Sequence, residues 1–250
     1  KHGRKWRASG YVAEVSDDRV AWRALRTVGA VRRKRDHLDL PETEARYVRL
    51  RALGNGAMAV SEVRVMPLEW AATPAAFFRA VAQDAPRGTY PRAILGEQSF
   101  WAVVGVDGDR REGLLGQDGM LETGQGEYSI EPFLFSRGKL ISWTDVKPEA
   151  TLEEGSLPIP SVRWQRDDLE LTVTAFADGG EGASSLVARY RVRNLSTGPV
   201  RATLYLALRP FQVNPPAQFL GLPGGVAPLR SLFADGRVVR VNGDRGVVCL

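Results

Sequence analysis

Between residues 169 and 208 the chain carries three long runs in which apolar and polar side chains alternate. Leu169, Leu171, Val173 and Ala175 are interleaved with Glu170, Thr172 and Thr174. Leu186, Ala188, Tyr190 and Val192 are interleaved with Arg189, Arg191 and Arg193. After "NLSTGP" the same pattern returns in Val200, Ala202, Leu204, Leu206 and Leu208. A period of two is the signature of a strand with one buried face, and a helix cannot satisfy it. Three such strands in succession predict a meander whose apolar face must be covered by a second sheet. The chain is therefore expected to be all-β and antiparallel.

Similar patterns flank this core. "SFWAVVGVDGDRREGLLG" reads as a hairpin around Asp107-Gly108, and "GEYSIEPFLFSRGKLISWTDV" as another around Arg137-Gly138. "RVVRVNGDRGVVCL" predicts a strand, an Asn242-Gly243 turn and a return strand. Upstream, Tyr11, Ala13 and Val15 alternate with Val12, Glu14 and Ser16 before an Asp17-Asp18 turn. "DHLDLP" follows, then "ARYVRLRALGNGAMAVSEVRVMP", in which Val48, Leu50, Val63 and Val65 are expected to be buried strand residues on either side of Gly54-Asn55-Gly56. The single persuasive helix is "ATPAAFFRAVAQDAP", with Thr73 as N-cap, Pro74 at the first helical position and Pro86 and Gly88 closing it. Its Phe77, Phe78 and Val81 form a docking face. The expected organisation is residues 1–68, a helical connector at 69–93, and a second β-unit at 94–250.

Several classes of function are excluded. Cys249 is the only cysteine, and His2 and His37 are the only histidines, so no disulfide framework, Cys/His zinc site or metalloprotease helix can be built. Cys249 is expected to be a buried small hydrophobe. No apolar run is long enough for a membrane-spanning helix. Up to Leu68 there are 15 Lys+Arg against 8 Asp+Glu, including the run Arg32, Arg33, Lys34 and Arg35. With no recognition helix or aromatic-rich RNA-binding strand beside it, that run reads as a solvated loop rather than a nucleic-acid site. No Gly-x-Ser-x-Gly elbow, phosphate-cradling glycine loop or histidine-backed nucleophile is present. No cofactor or metal is expected.

Two resemblances add to this reading. "YVAEVSDDRVAWRAL", with Ala45 to Leu50 and then Glu62, Val63 and Val65, resembles the C-terminal half of a factor V/VIII C-type (discoidin) domain over residues 4–67. "EQSFWAVVGVDGD", "YSIEPFLF", "DDLELTVTAFA" and "SLVARYRVRNLSTGPVRATLYLALRPFQVNPP" resemble the β-supersandwich that precedes the six-hairpin helical barrel of cellobiose-phosphorylase-like and glucoamylase-like enzymes. The opening residue, Lys1, and the two half-matched units lead to the expectation of a piece of a longer bacterial carbohydrate-active protein. The resemblance implies a half jelly roll followed by a supersandwich, a periplasmic or extracellular location, carbohydrate as a partner, and contact with a helical barrel downstream that would carry the catalysis.

Within the chain itself, Trp101, Trp143 and Trp164 are candidate sugar-stacking residues, because sugar C–H faces lie well on indole rings. Asn214 and Gln218 are candidates because "FQVNPPAQFLGLPGG" is long for a hairpin loop and could reach toward a neighbouring domain. The carboxylate pairs Glu153-Glu154 and Asp167-Asp168, and Asp145 beside Trp143, leave open a glycosidase with its own acid and base, such as Asp145 with Asp168. Adjacent acids in a strand point to opposite faces, and acids at strand starts are common in turns. A non-catalytic accessory region, a glycosidase and a surface adhesion module all remain open at this point.

Overall fold

The computed structural model describes residues 10–29, 35–55, 58–218, 223–243 and 245–250. His2, Arg32, Arg33, Lys34, Gly56 and residues 219–222 of the long loop lie outside the described residues. The fold is all-β, built from antiparallel sheets with one substantial helix. It divides into two compact units, Lys1–Phe77 and Phe78–Leu250.

In the first unit, β1 (Tyr11–Ser16) is the centre of a three-stranded sheet between β2 (Arg23–Val28) and β3 (Tyr47–Ala52). All six residues of β1 are buried, so both of its faces are covered and not one alone as its alternation suggests. Glu14 is consequently a buried carboxylate, gripped by Arg49 Nε at 2.8 Å and Arg51 Nε at 3.1 Å from the neighbouring strand. The Asp17-Asp18 turn forms as expected, with Asp18 Oδ1 accepting from the Val20 and Ala21 amides. The run Met58 to Met66 forms no strand: Val63 and Val65 are 55% and 75% exposed, and Val48 is half exposed. Both flanks of β1 are already occupied by β2 and β3, and the apolar run adds to neither outer edge.

The helix α1 (Pro74–Gln83) starts where its cap residue places it, with Thr73 Oγ1 accepting from the Ala76 amide. The division between the units falls within it. Phe77 meets Trp70 edge-on, while Phe78 packs with Ala82, Ile94 and Phe211 in the second unit. A short helix, α2 (Arg92–Leu95), follows.

The second unit is a sandwich. Its larger sheet has the order β13-β7-β6-β5-β4, with β8 also paired to β7. These strands are β4 (Trp101–Val104), β5 (Gly113–Gly116), β6 (Leu121–Glu122), β7 (Ser129–Ser136), β8 (Lys139–Ile141) and β13 (Ala202–Arg209). The facing sheet runs β12-β11-β10-β9, from β9 (Glu149–Glu153), β10 (Leu157–Arg166), β11 (Leu169–Asp178) and β12 (Ser185–Asn194). Leu115, Leu121, Leu134 and Ile141 of one sheet meet Val162, Trp164, Leu171, Val173 and Ala175 of the other in one continuous core. Leu171, Val173 and Ala175 are fully buried, as their spacing requires. A small sheet, β14 (Leu232–Asp235), β15 (Val238–Val241) and β16 (Arg245–Val248), ends the chain with the expected Asn242-Gly243 turn.

The predicted hairpins around Arg137-Gly138 and Asp107-Gly108 are present. The meander is not: β11 and β12 pair, but β13 leaves for the other sheet and pairs with β7 along its whole length. The reason is the connection at residues 195–201. Asn194 closes its start, its Nδ2 donating to the Gly198 carbonyl and its Oδ1 accepting from the Ser196 amide. A connection of that length reaches about 20 Å, ample for the ~10 Å between stacked sheets. Alternation reports that a strand has two faces, not which sheet it joins. Cys249 is exposed and free, so the expectation of a buried thiol is corrected. It follows the edge strand β16, where little covers it.

Candidate functional site

Two concavities stand out in the second unit. The first gathers charge beneath the helical segment. Glu131 of β7 is a single acid in the run Ile130 to Phe135 and points to the outer face of its sheet. There Thr89, Tyr90 and the α2 segment cover it, leaving it 4% exposed. Arg209 of β13 reaches it, Nη1 donating to Glu131 Oε2 at 2.6 Å and to the Thr89 carbonyl at 2.6 Å. The guanidinium also lies 4.7 Å from the Phe211 ring and 5.4 Å from that of Tyr90. Burial outweighs the favourable charge of Arg209 and pushes the Glu131 carboxyl up to about 7. Beside it Arg92 makes a bidentate pair with Asp118, both bonds at 3.0 Å, and donates to Glu97 at 3.1 Å. Arg92 stacks 4.2 Å from the Trp143 ring, whose Nε1 donates to the Tyr90 carbonyl. The cleft these residues share with Ser99 and Met120 has a volume of about 30 Å³. That is a tenth of the smallest usual ligand pocket, about 300 Å³, and suits water rather than a sugar ring.

The second concavity is larger, about 470 Å³, and lies on the outer face of the same sheet at the β7–β8 turn. Phe135, Ser136, Arg137 and Gly138 line one side, and Pro199, Val200, Arg201 and Thr203 the other. Arg137 and Gly138 take left-handed backbone angles, φ 50° and 76°, which gives a two-residue turn matched to the twist of the hairpin. Register places Phe135 between Leu140 on β8 and Thr203 on β13. Phe135 is 41% and Leu140 56% exposed, so together they form an exposed apolar shelf. The Arg137 guanidinium is held by Asp168, and no carboxylate lines the concavity.

A third buried acid is structural. Glu122 Oε2 accepts from the amides of Val213 and Asn214 at 2.8 and 3.0 Å, and Oε1 from Gly126 at 3.1 Å. Burial raises its carboxyl from the ordinary value against these three donors. It ties the start of the long 211–225 loop to the sheet, so Phe211, Gln212, Val213 and Asn214 are all buried.

The candidates read from sequence are scattered among these features. Trp164 is 2% exposed in the sandwich core and Trp143 4% exposed behind Arg92, so neither offers a free face. Trp101 is half-buried against Leu114, Met120 and Val213. Asn214 is buried in the loop anchored by Glu122, while Gln218 is exposed further along, its amide donating to the Pro215 carbonyl. The carboxylate pairs are turn residues. Glu154 and Asp167 both have φ 50° in tight hairpin turns, Asp168 pairs with Arg137, and Asp145 Oδ2 caps a 3-10 turn by accepting from the Ser142 amide. Sequence reasoning missed Glu131, Asp118, Arg209 and Phe135 because they converge only through strand pairing. The signal available for Glu131 was an acid inside an otherwise apolar strand.

Among the described residues no cluster of three or more His, Cys, Asp or Glu could hold a metal ion, and no helix is long and apolar enough to cross a membrane. No known protein family, curated protein or solved structure matches the chain.

Proposed function

We propose that this chain is a non-catalytic accessory and scaffold region of a larger carbohydrate-active protein, one that binds carbohydrate and docks against a neighbouring domain. The observation that carries this reading is the state of the carboxylates. Both acids in the cleft of buried charge are tied to arginines in a space for water, and the concavity of ligand size contains none. A glycosidase needs two carboxylates on either side of a sugar, about 5 to 10 Å apart. Support for docking comes from the small terminal sheet, where Leu232, Phe233 and Val248 are each more than half exposed. The discoidin and supersandwich resemblances, and the periplasmic or extracellular setting they imply, belong to this proposal.

One observation favours a second reading, a glycosidase. A carboxyl that titrates near 7, such as Glu131, is what a general acid requires, and Asp118 shares its cleft. Chromogenic glycosides separate the two. The accessory reading expects no turnover above the blank by the intact chain, together with retarded migration in gels containing a polysaccharide. Turnover that disappears in Glu131→Gln would establish the glycosidase instead. Absence of both turnover and retardation would remove carbohydrate from the account altogether.

A further inference from the structure

From the concavity at the β7–β8 turn we infer a binding site for an acidic sugar, a saccharide bearing a carboxylate or sulfate. The inference rests on the carbohydrate-binding reading and narrows it to a ligand class. The volume of the concavity, about 470 Å³, is within the range of small-molecule sites, about 300 to 1,000 Å³. Its floor and walls differ in chemistry. Phe135, with Pro199 and Val200, gives the concavity an apolar lining on which the C–H face of a sugar ring can rest, and Leu140, beside Phe135 in register on β8, continues the exposed apolar surface outside it. Thr203, opposite Phe135 on β13, brings a hydroxyl to the same surface for a ring hydroxyl group.

The rim is positive. Arg201, at the approach to β13, is exposed and has no carboxylate partner among the described residues. Several arginines of the second unit do have one: Arg92 has Asp118, Arg163 has Glu149, Arg193 has Glu170 and Arg209 has Glu131. Arg137 is fixed at the opposite rim by Asp168, which leaves further guanidinium donors directed elsewhere. A planar guanidinium matches carboxylate and sulfate with two parallel hydrogen bonds. A neutral sugar would leave Arg201 unused. A simple anion would leave the apolar shelf wet. An acidic sugar uses both.

The site sits where two strand connections meet, the tight Arg137-Gly138 turn and residues 195–201. The Ser136 hydroxyl donates to the Arg201 carbonyl at 3.1 Å and joins them. The shelf is thus presented by a rigid hairpin, which is the arrangement that holds a binding surface without ordering a loop at the moment of binding.

Calorimetric titration of the full chain tests the inference with four probes: a trigalacturonate, a sulfated chondroitin disaccharide, neutral maltotriose and inorganic phosphate. The expected result is binding of trigalacturonate or the sulfated disaccharide at least tenfold tighter than maltotriose and phosphate. Whichever of the two acidic saccharides binds more tightly identifies carboxylate or sulfate as the recognised group. Arg201→Ala should weaken that binding at least tenfold and Phe135→Ala at least fivefold, with melting temperatures unchanged. Arg189→Ala/Arg191→Ala, which removes two exposed arginines from β12 in the other sheet, should change it less than twofold. Equal loss in that control would show that net charge alone is responsible and would overturn the site, as would full binding by Arg201→Ala. Equal affinity for maltotriose would overturn the acidic class while leaving the accessory reading intact. Phosphate binding as tight as that of the acidic sugars would show an anion site without sugar recognition. No binding by any saccharide would end both readings.

Discussion

Glu131 illustrates how one side chain can set a pH dependence for the molecule. Its folded carboxyl titrates near 7, above the ordinary 4.5. Between those values the folded chain holds a proton that the unfolded chain has released, so stability falls as pH rises. The contribution is complete below about 4.5 and is lost as pH passes through about 7. Glu131→Gln keeps a carbonyl for Arg209 and removes the titration. The melting temperature of the variant relative to the wild type should therefore rise from pH 5 to pH 8, and a flat difference would refute the buried titration. Trp164 makes a second residue-scale case. Its Nε1 is buried without a hydrogen-bond partner among the described residues, an arrangement that costs about 1–3 kcal/mol. Trp164→Phe removes the orphan donor, so it should change stability by no more than about 1 kcal/mol. Trp164→Ala should cost about 3–5 kcal/mol. Denaturant midpoints decide this, and similar losses in both variants would mean that the indole N–H is satisfied. The sequence singled out Trp164 for its ring, but whether that ring faces sugar or core depends on the β10 register, in which Val162 and Trp164 face inward.

At the scale of elements, turns were the most legible features because their chemistry is local. Arg137-Gly138, Asn242-Gly243 and the Thr73-capped helix all stand where their residues place them. Sheet membership was not legible, since β12 and β13 carry the same alternation and only the length of residues 195–201 separates hairpin from crossover. Acids adjacent in sequence serve turns, as their places at strand ends suggest, whereas acids that share a cleft, Asp118 and Glu131, come from different segments and were not legible. The long 211–225 loop is expected from its sequence to reach toward a neighbouring domain, and its first residues are fastened by Glu122. Glu122→Ala would strand two buried amides, those of Val213 and Asn214, and the part-buried amide of Gly126, at about 1–3 kcal/mol for each buried one left unsatisfied. A loss of about 2–4 kcal/mol is expected, measured by urea denaturation, with a smaller loss for Glu122→Gln. A loss under about 0.5 kcal/mol, the usual range of an unconstrained surface substitution, would show that water replaces the carboxylate and that the loop is held by other means.

For the whole molecule the question is where cooperativity resides. The second unit has what an independent domain requires: two sheets whose inner faces meet in one core, and a helical segment whose Phe78, Ala82 and Ile94 close on Phe211. The first unit has a three-stranded sheet whose central strand is buried while Arg23, Ala24 and Thr27 of β2 remain exposed. Its longest candidate for a further strand, Met58 to Met66, contributes exposed Val63 and Val65 rather than a second layer. A small sheet with one buried layer has little apolar area to set against the chain entropy of about 1–2 kcal/mol per ordered residue. Residues 78–250 expressed alone should therefore melt in one cooperative transition within a few degrees of the full chain, while residues 1–77 alone should show a broad, non-cooperative signal. Calorimetry of the two pieces checks both halves of the statement. A sharp transition in residues 1–77 would mean that β1 is covered on both faces by its own unit well enough to fold unaided. Loss of the transition in residues 78–250 would mean instead that the sandwich depends on the part of α1 that precedes Phe78, whose capping by Thr73 and Pro74 would then be required for the Phe78–Phe211 contact to form.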